Sequence, residues 1–163
     1  AFIVRHLARR GSNFRCEEKT ELPAWELLPD TATILTYTCY KATCRFRGRD
    51  YEAWYTPEIP RSEGPWKLQG LPGLILKASD SQQHYTFVCT GIEKVREEET
   101  IQFTGTEYEP ISRKDLRKVH ERFAADPIGY LKDTAPHVQI TVTDENGQPY
   151  HPKNTPYNPI ERE

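Results

Sequence analysis

The apolar residues of this chain come in short runs separated by turn-forming residues, and no stretch is long enough for a bundle of core helices or a membrane helix. Thirteen prolines and nine tyrosines are spread along 163 residues, a pattern that favours short strands over long helices. The longest clean apolar run is Leu71–Leu76 in WKLQGLPGLILKASD. Spanning a bilayer needs about 20 apolar residues, so no transmembrane segment is expected. Lysine, arginine, aspartate and glutamate nearly balance, leaving a formal net charge of −2. That gives no electrostatic reason to expect nucleic acid or an anionic membrane as partner.

The strongest β signal is TILTYTCYKATCRF, expected as one strand over 33–46 and followed by YEAWYT at 51–56. Arg47-Gly48-Arg49 lies between them and is expected to form a hairpin turn in which Gly48 takes a positive φ. LILKAS and HYTFVC bracket Asp80-Ser81-Gln82-Gln83, a second expected hairpin. FIVRHL and FRCEEK flank Gly11-Ser12-Asn13, a third. PAWELLPD is an irregular connection or a short strand bounded by Pro23 and Pro29. IQFTGT and VQITVT are further strand candidates, the latter turning at Glu145-Asn146-Gly147. Residues 57–72 form a loop.

One segment has a helical period. In ISRKDLRKVHERFAA, Ser112 stands at the N-cap position with Asp115 three residues on, and Leu116, Val119 and Phe123 make an apolar stripe. Arg113, Lys114, Arg117, Lys118 and Arg122 face water, and DPIGYL adds a short second helical turn. The expected class is therefore α+β and β-rich. It consists of a single curved antiparallel sheet of about six to eight strands, with one main helix (about 111–125) packed on one face. A single domain over 1–148 and a proline-rich extended tail over 149–163 complete the outline.

Gly70, Pro72 and Gly73 are read as a structural corner. Pro72-Gly73 suits the central positions of a type II turn aiming the strand that follows. No Lys-Ser or Lys-Thr pair follows the glycines, so a phosphate loop is not indicated. Cys16, Cys39, Cys44 and Cys89 lack CxxC spacing, and two disulfides are expected. Cys39 and Cys44 point to opposite faces of one strand, which leaves two connectivities open. His6, His84, His120, His137 and His151 show no ligand spacing, so no metal and no cofactor are expected. A serine-hydrolase elbow is missing, and no catalytic residue is assigned.

The aromatic and arginine content between 37 and 66 is the binding signal. Arg47, Arg49, Tyr51, Trp54, Tyr55 and Trp66 are the candidate ligand or partner residues. With comparable aromatic load on both strand faces, one face is left exposed unless something covers it.

The stretch from Ile34 to Asp80 resembles the GLPGLI family on several elements. These are Cys39-Tyr40-Lys41-Ala42, the FRGR turn at 46–49, AWYT at 53–56, EIP at 58–60, GPWK at 64–67 and the motif itself at 70–75. The resemblance implies export by Bacteroidetes to the periplasm or outer membrane. A signal peptide would then have been removed, in keeping with a chain that starts at Ala1 and contains no methionine. It also implies that residues 1–15 are a truncated sheet edge. It carries no established activity and so supplies no catalytic residue. The functional expectation is a periplasmic or outer-membrane-associated binding or accessory module. Its partner would be a hydrophobic or peptide ligand or an outer-membrane protein. The alternatives are a hydrolase with a site assembled from dispersed residues, or a structural envelope component.

Overall fold

A computed structural model describes residues 2–4, 14–93, 108–134, 136–137, 139, 141–149 and 156–162. The fold is α+β and β-rich. Its strands are divided between two sheets rather than gathered in one, and the chain forms two compact units.

The first unit comprises residues 1–19 and 101–158. Strand β1 (Phe2–Val4) pairs antiparallel with β2 (Phe14–Cys16), as the hairpin reading anticipated, and β8 (Glu109–Pro110) runs parallel to β2. The Gly11-Ser12-Asn13 turn and IQFTGT lie outside the described residues, as do His6 and His151. Helix α1 (Arg113–Ala125) starts where expected, its Ser112 hydroxyl accepting from the Asp115 amide at 3.1 Å. Asp126 ends α1 and opens α2 (Pro127–Thr134), its carboxylate accepting from the Gly129 amide at 2.9 Å. Pro127 takes the first helical position, where its missing N–H costs nothing. Phe123 and Tyr130 join the helices edge to face, with ring centroids 5.6 Å apart, and α1 packs on α2 and β2. Of VQITVT, the described part holds a single bridge, Thr143 to Pro149. It closes around the expected Glu145-Asn146-Gly147 turn, where Asp144 accepts from the amides of Asn146 and Gln148.

The second unit, residues 20–100 and 159–163, is built on a five-stranded antiparallel sheet. Its order follows the chain: β3 (Glu26–Ile34), β4 (Tyr37–Phe46), β5 (Arg49–Thr56), β6 (Leu74–Asp80), β7 (Thr86–Val88). Two boundaries differ from the sequence reading. The strand expected over 33–46 is broken by a hairpin turn at Leu35-Thr36, with Leu35 at φ 55°. Upstream, ELLPD is part of a nine-residue edge strand that runs through Pro29. Proline is tolerated there because the register shifts between Leu27 and Thr31, relieving the ladder of an amide that proline lacks. The turn between β4 and β5 is the two residues Arg47 (φ 50°) and Gly48 (φ 74°), both positive as a type I′ hairpin requires. Arg49 belongs to the strand, not the turn.

Register assigns the faces. Ala42, Cys44 and Phe46 lie opposite Ala53, Tyr51 and Arg49, and Ala53 and Tyr51 lie opposite Ala78 and Asp80. The alanine row Ala42–Ala53–Ala78 is fully buried. Such small side chains leave a trough on this apolar face, and Leu68 and Leu71 of the loop complete the same core cluster, with Trp25, Trp66 and Phe87 packed against it. The sheet's cover is thus its own loop. Burying each leucine contributes about 1.5–3 kcal/mol.

The loop is pinned back by amides of Gly70, Leu74 and Ile75 donating to Ser62, Ile59 and Glu63 at 3.0–3.1 Å. The Trp25 indole donates to the Gln69 carbonyl at 2.9 Å. Gly70 has φ +98°, but Gly73 has φ +159°, far from the roughly +80° of the type II turn expected at Pro72-Gly73. Gly73 is required for another reason. A Cβ there would overlap the Thr56 carbonyl group, whereas one at Gly70 would meet nothing closer than 3.9 Å.

Two disulfides were expected, but no disulfide bridges Cys16, Cys39, Cys44 or Cys89 in this structure. Cys44 and Cys39 are enclosed by packing, and burial pushes the Cys44 thiol up to about 12. Among the described residues no helix is long and apolar enough to cross a membrane.

Two outcomes follow from this packing. Gly73→Ala should cost at least about 2 kcal/mol in urea unfolding and Gly70→Ala about 1 kcal/mol, because only the first forces backbone apart. Under native conditions at mild alkaline pH, a disulfide-exchange reagent should modify Cys89 first. Cys39 and Cys44 should react only on unfolding, as read by mass of the peptide adducts.

Candidate functional site

The six candidate binding residues separate into three environments of the second unit. Tyr51 and Tyr55 point into the apolar face, 2% and 6% exposed. Trp66 packs its ring on Phe46 and Tyr51, with centroids 5.9 and 6.2 Å away. These aromatics are core, and the face expected to lie open is filled. The signal misread them because the covering element is a loop, which carries no periodicity.

Trp54 stands on the opposite, polar face. Lys41 and Lys77 pair with it from the neighbouring strands, so Trp54 stands between two lysines in one cross-strand row. Lys41 Nζ lies 5.6 Å from the ring centroid and 2.8 Å from Glu52, and the Trp54 indole N–H donates to Glu52 at 2.9 Å. The hydrogen bond from Lys41 holds the Glu52 carboxyl below its ordinary value, and the same bond raises Lys41. Trp54, Lys41, Lys77 and Glu52 are half-buried, and Thr86 and Val88 beyond them are exposed. A half-exposed indole held in one orientation by a charged pair suits contact with a polar or aromatic surface. Among the described residues no group of three histidines, cysteines or carboxylates is placed to hold a metal ion.

Arg47 and Arg49 bracket a third environment, which sequence inspection did not anticipate. Arg49 lies at the end of the apolar face with its side chain 1% exposed, paired at 2.8 Å with Asp80, itself 2% exposed. Its guanidinium stacks on the Tyr85 ring at 4.8 Å and approaches His84 Nδ1 at 3.4 Å. The remaining donors reach a distant part of the chain. Nε donates to the carbonyls of Pro159 and Ile160 at 3.2 Å, and a terminal nitrogen donates to Pro159 again. The Tyr51 hydroxyl donates to Ile160 at 3.4 Å, and the Arg162 amide donates to the Arg47 carbonyl at 2.9 Å. Lys67 pairs with Glu161, and Arg162 reaches Gln82 at 2.9 Å. Residues 159–162, expected as part of a peripheral tail, are tied to the sheet. Burial alone would raise the Asp80 carboxyl. The Tyr85 amide at 2.8 Å and the Arg49 guanidinium outweigh it, and the carboxyl is held below its ordinary value of 3.8.

Residues 46–77, from the end of β4 through the loop into β6, match a family described as a protein of unknown function (Porph_ging). None of the curated proteins matches significantly. Five chains of solved structures do. PNGF-II in its C2 crystal form aligns with a TM-score of 0.52 and 20% identity over 68% of this chain and 21% of that one. The P21 form gives a TM-score of 0.45 and 20% identity over 59% and 18%. The chain thus spans about a fifth of the length of the solved chains it matches. At this identity the C2 likeness is one of fold alone.

Because the folded chain favours the Asp80 carboxylate, its contribution to stability is complete above 3.8 and is lost as pH falls through the lowered folded value. Urea midpoints measured from about pH 5 to about pH 2 should therefore drop in the wild type. Asp80→Asn should be less stable at neutral pH and show a shallower drop across that window.

Proposed function

We propose that the second unit is a non-enzymatic binding module that meets a peptide or protein partner with its polar face, centred on Trp54. The observation that carries this reading is the asymmetry of the sheet. One face is filled by the chain's own loop, while the other presents a half-exposed indole fixed between Lys41, Lys77 and Glu52. Side chains already ordered before contact lose little conformational entropy on binding, which favours an interaction role for them. The match over 46–77 to a family of unknown function supports a reading without assigned chemistry. We further propose that this segment marks a GLPGLI-type domain, exported to the periplasm or to the outer membrane. In that setting the partner is an outer-membrane protein or a ligand it carries.

Trp54→Ala and Trp66→Ala separate binding from folding. Trp66→Ala removes a ring from the core and should cost about 3 kcal/mol. Trp54→Ala should stay within about 1 kcal/mol of wild type. Native mass spectra of gently purified protein should then show a retained partner mass on the wild type that is absent from Trp54→Ala. Equal retention by a folded Trp54→Ala variant would sink the proposal.

A further inference from the structure

We propose that the cleft made by Arg49, Tyr51, Lys67 and Asp80 is a receptor for a short peptide, and that residues 159–162 are its resident ligand. It is a site distinct from the polar face and stands on its own observations. The first is how the segment is held. Arg49 and Tyr51 donate to main-chain oxygens of the segment, those of Pro159 and Ile160, and the Arg47 carbonyl takes the Arg162 amide. This is recognition of a peptide backbone, met by a guanidinium whose fork geometry suits two successive carbonyls.

The second is the cost of emptying the cleft. Asp80 pairs with Arg49 and the Tyr85 ring stacks on it, so contacts outside the segment orient the guanidinium. Withdrawing the segment takes away the carbonyl acceptors of Nε and one terminal nitrogen, which water or another peptide must then replace. The third is selectivity along the segment. Lys67 pairs with Glu161, both at least four-fifths buried, and Gln82 receives Arg162. The ligand class is therefore a peptide that bends at its second residue and offers two adjacent carbonyls, then an acidic and a basic residue, the pattern Pro-Ile-Glu-Arg. Proline at the first position suits this use, because its φ is set in advance and it needs no amide partner. Covalent attachment gives the resident segment an effective concentration on the order of millimolar, so the intact chain excludes competitors.

The test keeps every residue of the chain. A specific protease site placed between Asn154 and Pro156 allows the folded protein to be nicked, leaving the segment held without a covalent link. A fluorescent peptide of residues 156–162, PYNPIER, is then titrated by anisotropy. We expect saturable exchange into the nicked protein and at least about 100-fold weaker uptake by the intact chain. Arg49→Lys in the protein, or Glu161→Lys in the peptide, should weaken uptake at least about 10-fold, since the first loses the fork and the second meets Lys67 with like charge. A nicked protein that stays folded and takes up no peptide overturns the proposal. So does one that unfolds and does not refold on peptide addition, because the segment is then a part of the fold. Equal uptake of a scrambled peptide overturns the assigned pattern.

Discussion

A five-stranded sheet with one apolar face must have that face covered, and in the second unit the cover is drawn from the 17 or so residues that connect two of its own neighbouring strands. The loop after β5 doubles back over the alanine row, sets Leu68 and Leu71 into the core, and returns to begin β6 beside the strand it left. Such a path needs main chain to pass main chain at closer range than a side chain permits. Gly73 against the Thr56 carbonyl is that crossing point. The bulge that shifts register between Trp54 and Tyr55 follows directly, where the returning strand takes up its pairing.

This arrangement explains why the segment 46–77 has a recognisable pattern of its own. Its Trp66, Leu68, Leu71 and Gly73 are the parts of one self-covering device: a ring on Phe46 and Tyr51, two buried leucines, and the glycine that lets the chain return. Each answers to packing. In this chain those residues close a sheet without a helix, and they leave the opposite face open. Trp54 is within the same segment, yet it faces away from the cover.

Much of this was legible in the residues, and the failures have physical causes. Alternation located β4 and β5 because both have one buried face, and Ser112 marked the start of α1 because a hydroxyl there satisfies an amide the helix cannot. The Leu35-Thr36 turn was invisible: Thr-Ile-Leu-Thr-Tyr favours strand at every position, and tertiary pairing with β4 forces Leu35 to a positive φ that its sequence does not advertise. The disulfide expectation came from counting cysteines, and a count says nothing of which side chains the fold brings together. What covers Trp66 and Tyr55 was not legible, because a loop has no period from which to infer what it packs on.

Arg49 was named as a binding candidate, but its burial was not legible. Nothing local marks an arginine beside a glycine turn as buried, since charge is rarely buried unless paired. Its pairing is assembled from places no local pattern connects: Asp80 on β6, Tyr85 after the next turn, and carbonyls about 110 positions further along. Breaking such a buried pair by removing one partner costs about 3–5 kcal/mol, whereas replacing both with well-packed apolar groups is often neutral. Stability alone therefore gives little reason to prefer an ion pair here over a leucine and a phenylalanine. A guanidinium supplies what those cannot: several directed donors at the end of an otherwise apolar face. The value of Arg49 to the molecule then lies in holding a peptide backbone, and the apolar core beside it supplies the rigidity that makes this hold specific.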